Sequence, residues 1–436
     1  MIKVLKFGGS SLANAEQFMK VKDIVVSDPD RRFVVPSAPG KRNSADTKVT
    51  DMLYQCYAKA EQGIDFDDDL AAIEARYQEI IDGLSLTVSL KDQFAQIKKD
   101  FTAHAGKDYA ASRGEYLNGI LLANWLGFDF IDSAQYIFFF EDGTFDAEKT
   151  QKALSKKLST LTHAVVPGFY GSLPGGKVKT FSRGGSDITG SIVARAVQAN
   201  LYENWTDVSG CLVADPRIVS NPKVIDTITY RELRELSYMG FSVLHEDAIF
   251  PVRTAGIPIN IKNTNSPADA GTFIVENTSR KPAFTITGVA GKKGFTAINI
   301  EKDMMNSEIG FGRRVLQAFE DNGISFEHMP SGIDTLSVFV HQTEFESKEQ
   351  AVLAELHKLC NPDFIDISTD LALIAVVGRG MKSNHGTASR IFRALENAGI
   401  NIRMIDQGSS ELNIIVGVAG EDFESAINAI YHAFVQ

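Results

Sequence analysis

VLKFGGSSLANAEQF, residues Val4–Phe18, opens on an apolar run that breaks at Gly8-Gly9 and continues into two serines. A strand that ends in paired glycines leaves backbone N–H groups exposed above it, and successive amides in such a turn form a nest for an anion. Lys6 lies on the strand itself, just ahead of the turn, so its ammonium can point at the same place. The familiar phosphate loop carries its lysine after the glycines, at the start of a helix; here the order is reversed. Alone, the stretch reads equally as an ordinary Gly-Gly turn with a snorkelling lysine, because short glycine motifs are common.

Outward from it, residues 1 to 280 alternate short apolar or β-branched runs with longer helical stretches. KVLKF, RRFVVPSAP, HAVVPGFYG and IPINIKNT read as buried strands ending in Gly, Pro, Ser or Asn, the punctuation of an α/β sheet. Polar side chains follow those strand ends, where open α/β sheets bind their ligands. Residues 58–105 are helical in character without a strand signal, and read as a lid or a helical insertion.

The 436 residues exceed what one core organises, so two or three domains are expected. A composition of 44% apolar and 23% charged residues is that of an ordinary globular chain. No apolar run approaches the roughly 18 residues of a membrane span. The N-terminus lacks the three-part pattern of a secretion signal, so neither membrane nor export is expected. Cys56, Cys211 and Cys360 are far apart, which excludes a disulfide framework and a CxxC zinc site and fits the cytoplasm. A net charge of −11 argues against a nucleic-acid partner.

Past about residue 282 a repeat appears. GFGRRVLQAFEDNGISFEHMPSGIDTLSVFV, from Gly310, aligns without a gap with GTASRIFRALENAGINIRMIDQGSSELNIIV, from Gly386, at an offset of 76 residues. Each copy has an amphipathic helix ending at a glycine suited to the left-handed cap, then a strand. Two copies are too few for a solenoid; they suggest a pair of small α+β modules.

Three further stretches carry chemistry. Lys179–Ala196 (KTFSRGGSDITGSIVARA) sets Arg183, Gly184, Gly185, Ser186 and Asp187 at one helix N-terminus, a place that suits anions, although Ser186 or Asp187 could equally be a simple cap. Trp205–Val219 (WTDVSGCLVADPRIV) supplies Thr206, Asp207, Asp215 and Arg217. SRGEYLNGILLANWLG, from Ser112, places Glu115 at the head of an apolar helix, where the helix dipole alone would explain it.

Taken in order, Lys6-Phe7-Gly8-Gly9-Ser10-Ser11, SRGE, VPGFYG, FSRGGSD, WTDVSG, ADPR and MGFSVLHEDAI resemble the aspartate kinase family over essentially the whole chain. The C-terminal repeats resemble the paired ACT modules with which that family senses end-product amino acids. The resemblance implies an amino-acid-kinase fold in residues 1–281, a mostly parallel open sheet between helices. It implies two α+β ACT units of βαββαβ type in residues 282–436, at about 294–367 and 371–436, and leaves open whether strand 284–291 joins the second.

The activity implied is transfer of the γ-phosphoryl of ATP, with Mg²⁺, to the side-chain carboxylate of L-aspartate. By the same resemblance Lys6 and Asp187 are catalytic, and the nucleotide meets Lys6, Gly8, Gly9, Ser10, Thr206, Asp207, Leu212 and Arg217. The substrate meets Ser37, Thr50, Glu115, Arg183, Gly185 and Ser186, with Arg183 on its α-carboxylate and Glu115 on its α-ammonium. No protein metal ligands are assigned; Mg²⁺ is expected on phosphates and water. Met304, Ser307, Glu327, Ser331, Gln407 and Ser409 fall where ACT pairs bind an effector, lysine in the first place and threonine next. ACT pairing across a two-fold axis implies a homodimer or a dimer of dimers.

Three positions depart from the family's pattern. Ser209 replaces aspartate or proline, Leu212 a common tyrosine and Ser242 a lysine, all on the nucleotide side, so weaker nucleotide affinity or base selectivity is expected. Two alternatives remain: a kinase of another acidic amino acid, and a non-catalytic amino-acid sensor of the same fold.

Overall fold

The computed structural model describes residues 1–182, 184–241, 244 and 246–435. The chain forms two compact units, one of residues 1–211, 224–230 and 242–278, the other of 212–223, 231–241 and 279–436. Residues 212–223 and 231–241, which precede the expected division at 281/282, thus pack with the C-terminal unit. Backbone bonds take the inner segment across: the Val213 N–H donates to Lys223 O at 2.9 Å, and the Val289 N–H to Val213 O at 2.8 Å.

Among the described residues the first unit has ten strands: β1 (Lys3–Phe7), β2 (Arg31–Pro36), β3 (Asp129–Phe130), β4 (Ala164–Val165), β5 (Tyr170–Ser172), β6 (Val178–Thr180), β7 (Leu201–Thr206), β8 (Thr227–Thr229), β9 (Ile259–Asn263) and β10 (Thr272–Val275). Eight of them form one sheet in the order β3-β4-β2-β1-β7-β9-β10-β8, and β5 and β6 form a hairpin. All neighbours in the large sheet run parallel except β9 and β10. This is the mostly parallel sheet that the buried apolar runs predict, with β1 and β7 at its centre.

Helices α1 (Ala15–Val26), α2 (Val49–Glu61), α3 (Asp67–Gly83), α4 (Lys91–Thr102), α5 (Lys107–Leu126), α6 (Ala147–Leu158) and α7 (Gly185–Ala196) belong to this unit. Asn14 starts α1 by accepting the Gln17 N–H at 3.0 Å, and Phe18, Val21, Ile24 and Val25 bury one face of it. The segment read as a lid or an insertion, residues 58–105, holds the end of α2 with α3 and α4. Tyr57, Tyr77, Phe94 and Phe101 from these helices share one core with Phe7, Phe18 and Trp205, so the segment is a wall of the unit. Its acidic run pairs outward, Asp69 with Lys59 at 2.5 Å and Asp67 with Lys98 at 2.6 Å.

In the second unit β11 (Gly288–Glu301), β12 (Phe326–His328), β13 (Thr335–His341), β14 (Phe364–Val377), β15 (Met404–Asp406) and β16 (Asn413–Ala419) form an antiparallel sheet in the order β12-β13-β11-β14-β16-β15. β11 and β14 are long enough to serve both repeats. Residues 295–301 pair with β13 and with the first half of β14, and residues 288–293 pair with 371–377, which in turn pair with β16. The ladder shifts register around Lys293–Ala297, beside Gly294 at φ 87°. A strand from before the first module thus completes the second.

Two helices of this unit repeat the sequence offset: Phe311–Asp321 and Thr387–Asn397 both begin after a left-handed glycine, Gly310 at φ 80° and Gly386 at φ 82°. Both end as the pattern predicts, at Gly323 (φ 62°) and Gly399 (φ 71°).

Candidate active site

Strand pairing sets Lys6 on β1 directly beside Asn204 on β7. α7 begins with small residues, nearly all buried, and carries Asp187 in its first turn. Lys6 Nζ lies 2.7 Å from Asp187 Oδ1, with only 10% and 20% of the two side chains exposed. Asn204 Nδ2 donates to the same carboxylate oxygen at 2.8 Å, and the Tyr202 hydroxyl donates to Asp187 O at 3.2 Å. The ammonium is thereby held in place before any ligand arrives, which is how a cation becomes effective toward charge that develops during a reaction. Nothing in the sequence marked Asn204 except a polar residue within a strand otherwise fit for burial.

The turn after Lys6 departs from expectation at one glycine. The Gly8 N–H donates to Trp205 O at 3.0 Å and holds the turn on β7, so it is not free for a phosphoryl group. Gly9 and Ser10 open the short 3-10 turn that follows, where first-turn N–H groups lack helical partners. The second loop, after β2, presses on it: the Gly40 N–H donates to Gly9 O at 2.8 Å, and a Cβ on Gly40 would come within 2.6 Å of Gly9 C. Ser11 Oγ and Thr264 Oγ1, 2.7 Å apart, fasten the turn from the side of β9.

Glu115 is 6% exposed on α5. Burial pushes its carboxyl up to about 8, against the opposing pull of the Ala38 N–H, its own backbone N–H, Arg113 and Lys6. Its Oε2 has no hydrogen-bond partner among the described residues. A buried acceptor left unpaired is costly, and a cationic ligand would satisfy it. Thr50 Oγ1 would lie 3.8 Å from a Cβ on the neighbouring Gly114, and Asn118, a turn beyond Glu115, donates to Ser37 O at 2.6 Å. Ser37 donates its own N–H to Phe7 O at 3.0 Å. Ser37, Thr50 and Glu115 therefore come together on the Lys6 side of the sheet; Asn118 went unread in the sequence.

Gly185 and Ser186 start α7. Ser186 is buried against Gly168 of VPGFYG, where a Cβ would fall 2.6 Å from its Oγ. Arg183 and Ser242 lie outside the described residues. Thr206 ends β7 and donates to the exposed Asp207 at 3.2 Å. Ser209 donates to Asp269 at 2.5 Å and accepts from Asn263 at 3.0 Å. Leu212 and Arg217 belong to the second unit, and Arg217 is 87% exposed and paired with Asp215 at 2.5 Å. Its guanidinium keeps the Asp215 carboxyl below its ordinary value.

In the second unit most of the expected effector residues stand on turns and loops, whereas Glu327 lies on β12 with only 8% of its side chain exposed. Met304 has φ 61° and is 69% exposed, and Ser307 donates to its carbonyl at 2.8 Å. Glu327 is paired with His341 at 3.2 Å, and Ser331 bridges to Leu336. His328 Nδ1 lies 2.8 Å from Asp406 Oδ2, which brings the end of β12 to the end of β15, next to the exposed Gln407 and Ser409.

A parallel-rich sheet with glycine turns at its strand ends, followed by ββ-shared α+β repeats, defines an amino acid kinase carrying ACT modules. The chain matches the amino acid kinase family over residues 1–263 and the ACT domain over 374–434. It is 41% identical to aspartokinase 3 of Bacillus subtilis, over 99% of this chain and 98% of that protein. It is 54% identical to the aspartate kinase of Clostridium acetobutylicum, whose crystal structure superposes with a TM-score of 0.89 over 99% of both chains. Escherichia coli aspartokinase III, solved with aspartate and ADP, shares 26% identity at a TM-score of 0.74 over 99% of both chains. The same enzyme, solved with lysine and aspartate, shares 25% at 0.72 over 100% of both. The chain belongs to the aspartate kinase family.

Proposed function

We propose that this chain transfers the γ-phosphoryl of ATP to the β-carboxylate of L-aspartate, giving 4-phospho-L-aspartate, the first step toward lysine, threonine and methionine. The observation that carries this reading is the buried Lys6–Asp187 pair at 2.7 Å in the same unit as Glu115, whose orphaned oxygen awaits a cation. Aspartate and ADP bound to the Escherichia coli relative support it.

An aspartate side chain, with an ordinary pKa of about 3.9, is already ionised near neutrality, so attack needs no general base. The work left to the protein is to align two anions and to offset charge that spreads over the transferring phosphoryl oxygens. Lys6, held by Asp187, whose carboxylate Asn204 fixes in turn, meets that charge, with the Gly9 and Ser10 amides beside it and Thr206 and Asp207 along the nucleotide. Glu115 accepts the substrate ammonium, and the carboxyl, raised while empty, gives up its proton as the ammonium arrives. Ser37, Thr50, Gly185 and Ser186 line the acceptor side, and Arg183 takes the α-carboxylate, for which a planar guanidinium suits two parallel bonds. Mg²⁺, brought in with the nucleotide, would be held mainly by its phosphates and water and would add positive charge beside Lys6. Leu212 and Arg217 are not needed for this reading.

The ACT pair makes the enzyme subject to feedback, with lysine favoured as effector and threonine next; lysine bound to the Escherichia coli relative supports that order. A homodimer or a dimer of dimers in the cytoplasm belongs to the same proposal, and three buried free cysteines agree with a reducing compartment. The test is acyl phosphate trapped with hydroxylamine from ATP and L-aspartate or L-glutamate, with and without lysine or threonine. Aspartyl hydroxamate suppressed by lysine is expected. Amino-acid binding without product from either substrate would overturn the kinase in favour of a sensor, and product from glutamate alone would replace the substrate.

A further inference from the structure

α3 carries Arg76 with its side chain only 5% exposed. Arg76 NH1 pairs with Asp46 at 2.5 Å, and NH2 donates to Gly40 O at 3.0 Å and Ala13 O at 3.4 Å. The three acceptors belong to the two loops described above. Ala13 closes the turn that follows Lys6, while Gly40 and Asp46 lie on the loop that runs from β2 to Thr50. Residues 41–45, 47 and 48 of that loop are exposed, and Asp46 is the side chain that turns inward. Arg42 closes the cluster by binding Asp46 at 3.0 Å and Glu79 of α3 at 2.6 Å. Asp46 is held well below the usual carboxylate range, first by the Arg42 hydrogen bond and also by the Arg76 charge.

α3 is itself fixed near the acceptor side. The Tyr77 hydroxyl, adjacent to Arg76, donates to Gly114 O at 2.8 Å, one residue before Glu115. Arg76 Nε, by contrast, has no hydrogen-bond partner among the described residues. A buried cation with an unsatisfied N–H is a poor device for stability alone, since an apolar side chain of similar size would avoid the desolvation.

We propose that Arg76 is a positioning residue for phosphoryl transfer: from α3 it locks the Gly9–Ser10 turn and the 40–48 loop in register with each other, touching neither substrate. The proposal rests on the kinase reading given above. One guanidinium spans three acceptors in a fixed plane, which the single ammonium of a lysine cannot do. Displacing reacting groups by about 1 Å can lower a rate on the order of 10²-fold.

The test compares the full-length wild type with Arg76→Met, Arg76→Lys and Asp46→Asn, by hydrogen exchange of backbone amides and by hydroxamate formation. In Arg76→Met, exchange in residues 8–13 and 40–48 should rise at least about tenfold over the rest of the unit, and kcat should fall about 10- to 100-fold. Arg76→Lys should recover part of both. Asp46→Asn cuts the same contact from the exposed loop and should speed exchange in 40–48, which keeps the test decisive if Arg76→Met does not fold. Unchanged exchange in those loops, or kcat of the wild-type size in Arg76→Met, overturns the proposal. The exchange arm needs no turnover, so a wild type without product removes the kinase reading while exchange still decides the clamp.

Discussion

Lys6 and Asp187 leave 10% and 20% of their side chains exposed, whereas Met304 is 69% exposed and Gln407 and Ser409 lie open on a loop. The first group is assembled within a sheet centre: register places Asn204 beside Lys6, and a helix of small residues delivers Asp187. The second group stands on turns that follow strands, after β11 and between β15 and β16, held by local contacts such as Ser307 to its own turn. Buried polar groups must be paired to be tolerated, so their geometry is largely fixed by folding. Exposed loops carry no such penalty and leave room for a ligand to decide their arrangement.

That contrast is broken most directly at Lys6. Lys6→Ala should lower kcat by about 10²–10³-fold, the loss typical of a preorganised charge donor, with a cooperative melt retained. Asp187→Asn leaves the ammonium in place without its carboxylate and should cost less, on the order of 10-fold to 100-fold in kcat, since it acts through Lys6. Near-normal turnover in the alanine variant would mean that the buried pair is structural, and steady-state kinetics on the hydroxamate assay would reveal it.

Glu115 sharpens the contrast by pH. Its carboxyl is raised from 4.5 to about 8 in the folded chain, so folding is most favoured by this group below pH 4.5 and progressively less so up to about pH 8, as the unfolded chain alone sheds the proton. Glu115→Gln removes that penalty. It should melt above the wild type at pH 8, with the gap closing toward pH 5, followed by differential scanning fluorimetry. The same substitution should raise KM for aspartate roughly 10- to 100-fold, because a hydrogen bond to a charged group is worth about 1.5–3 kcal/mol. In the wild type kcat/KM for aspartate should climb with pH to about 8, and this limb should vanish in the variant. A variant that loses both melting temperature and substrate affinity would assign Glu115 to packing.

How much of this was legible depended on whether a residue advertises its partner locally. Lys6 precedes its glycines and Asp187 follows Arg183-Gly184-Gly185, so spacing along the chain makes both candidates, while their roles come from the family resemblance. Asn204 did not, because a central parallel strand buries both faces and LYENWT gives no sign of which polar residue meets the site. The bond made by Gly8 is hidden for the same reason: its N–H is claimed by Trp205 O, a neighbour created only by register. Arg76 sat in a segment readable as a lid, with Asp46 thirty positions away in a loop. In the second unit the helices and their glycine ends followed from the repeat. The sharing of β11 and β14 between modules did not, since two 14-residue strands look in sequence like separate short ones.

The smallest effects should fall on the open loops. Ser331→Ala, Gln407→Ala and Ser409→Ala touch exposed side chains away from buried networks, so each should change stability by no more than about 0.5 kcal/mol. Uninhibited kcat and KM should stay within about twofold of the wild type, while the lysine concentration for half-inhibition should rise about 5- to 150-fold, the range of a lost ligand contact or coupling of about 1–3 kcal/mol. Glu327→Gln is the discriminating case, because Glu327 is already engaged with His341 at 3.2 Å. If an effector ammonium must displace that imidazole, the substitution weakens lysine and leaves basal turnover alone. If the pair only braces β12 against β13, it lowers the melting temperature and shifts inhibition no more than Ser331→Ala does. Inhibition curves set beside melts at matched pH separate the two, and a fall in basal kcat from any of the three exposed-loop variants would end the contrast between a buried, prearranged region and an open, ligand-arranged one.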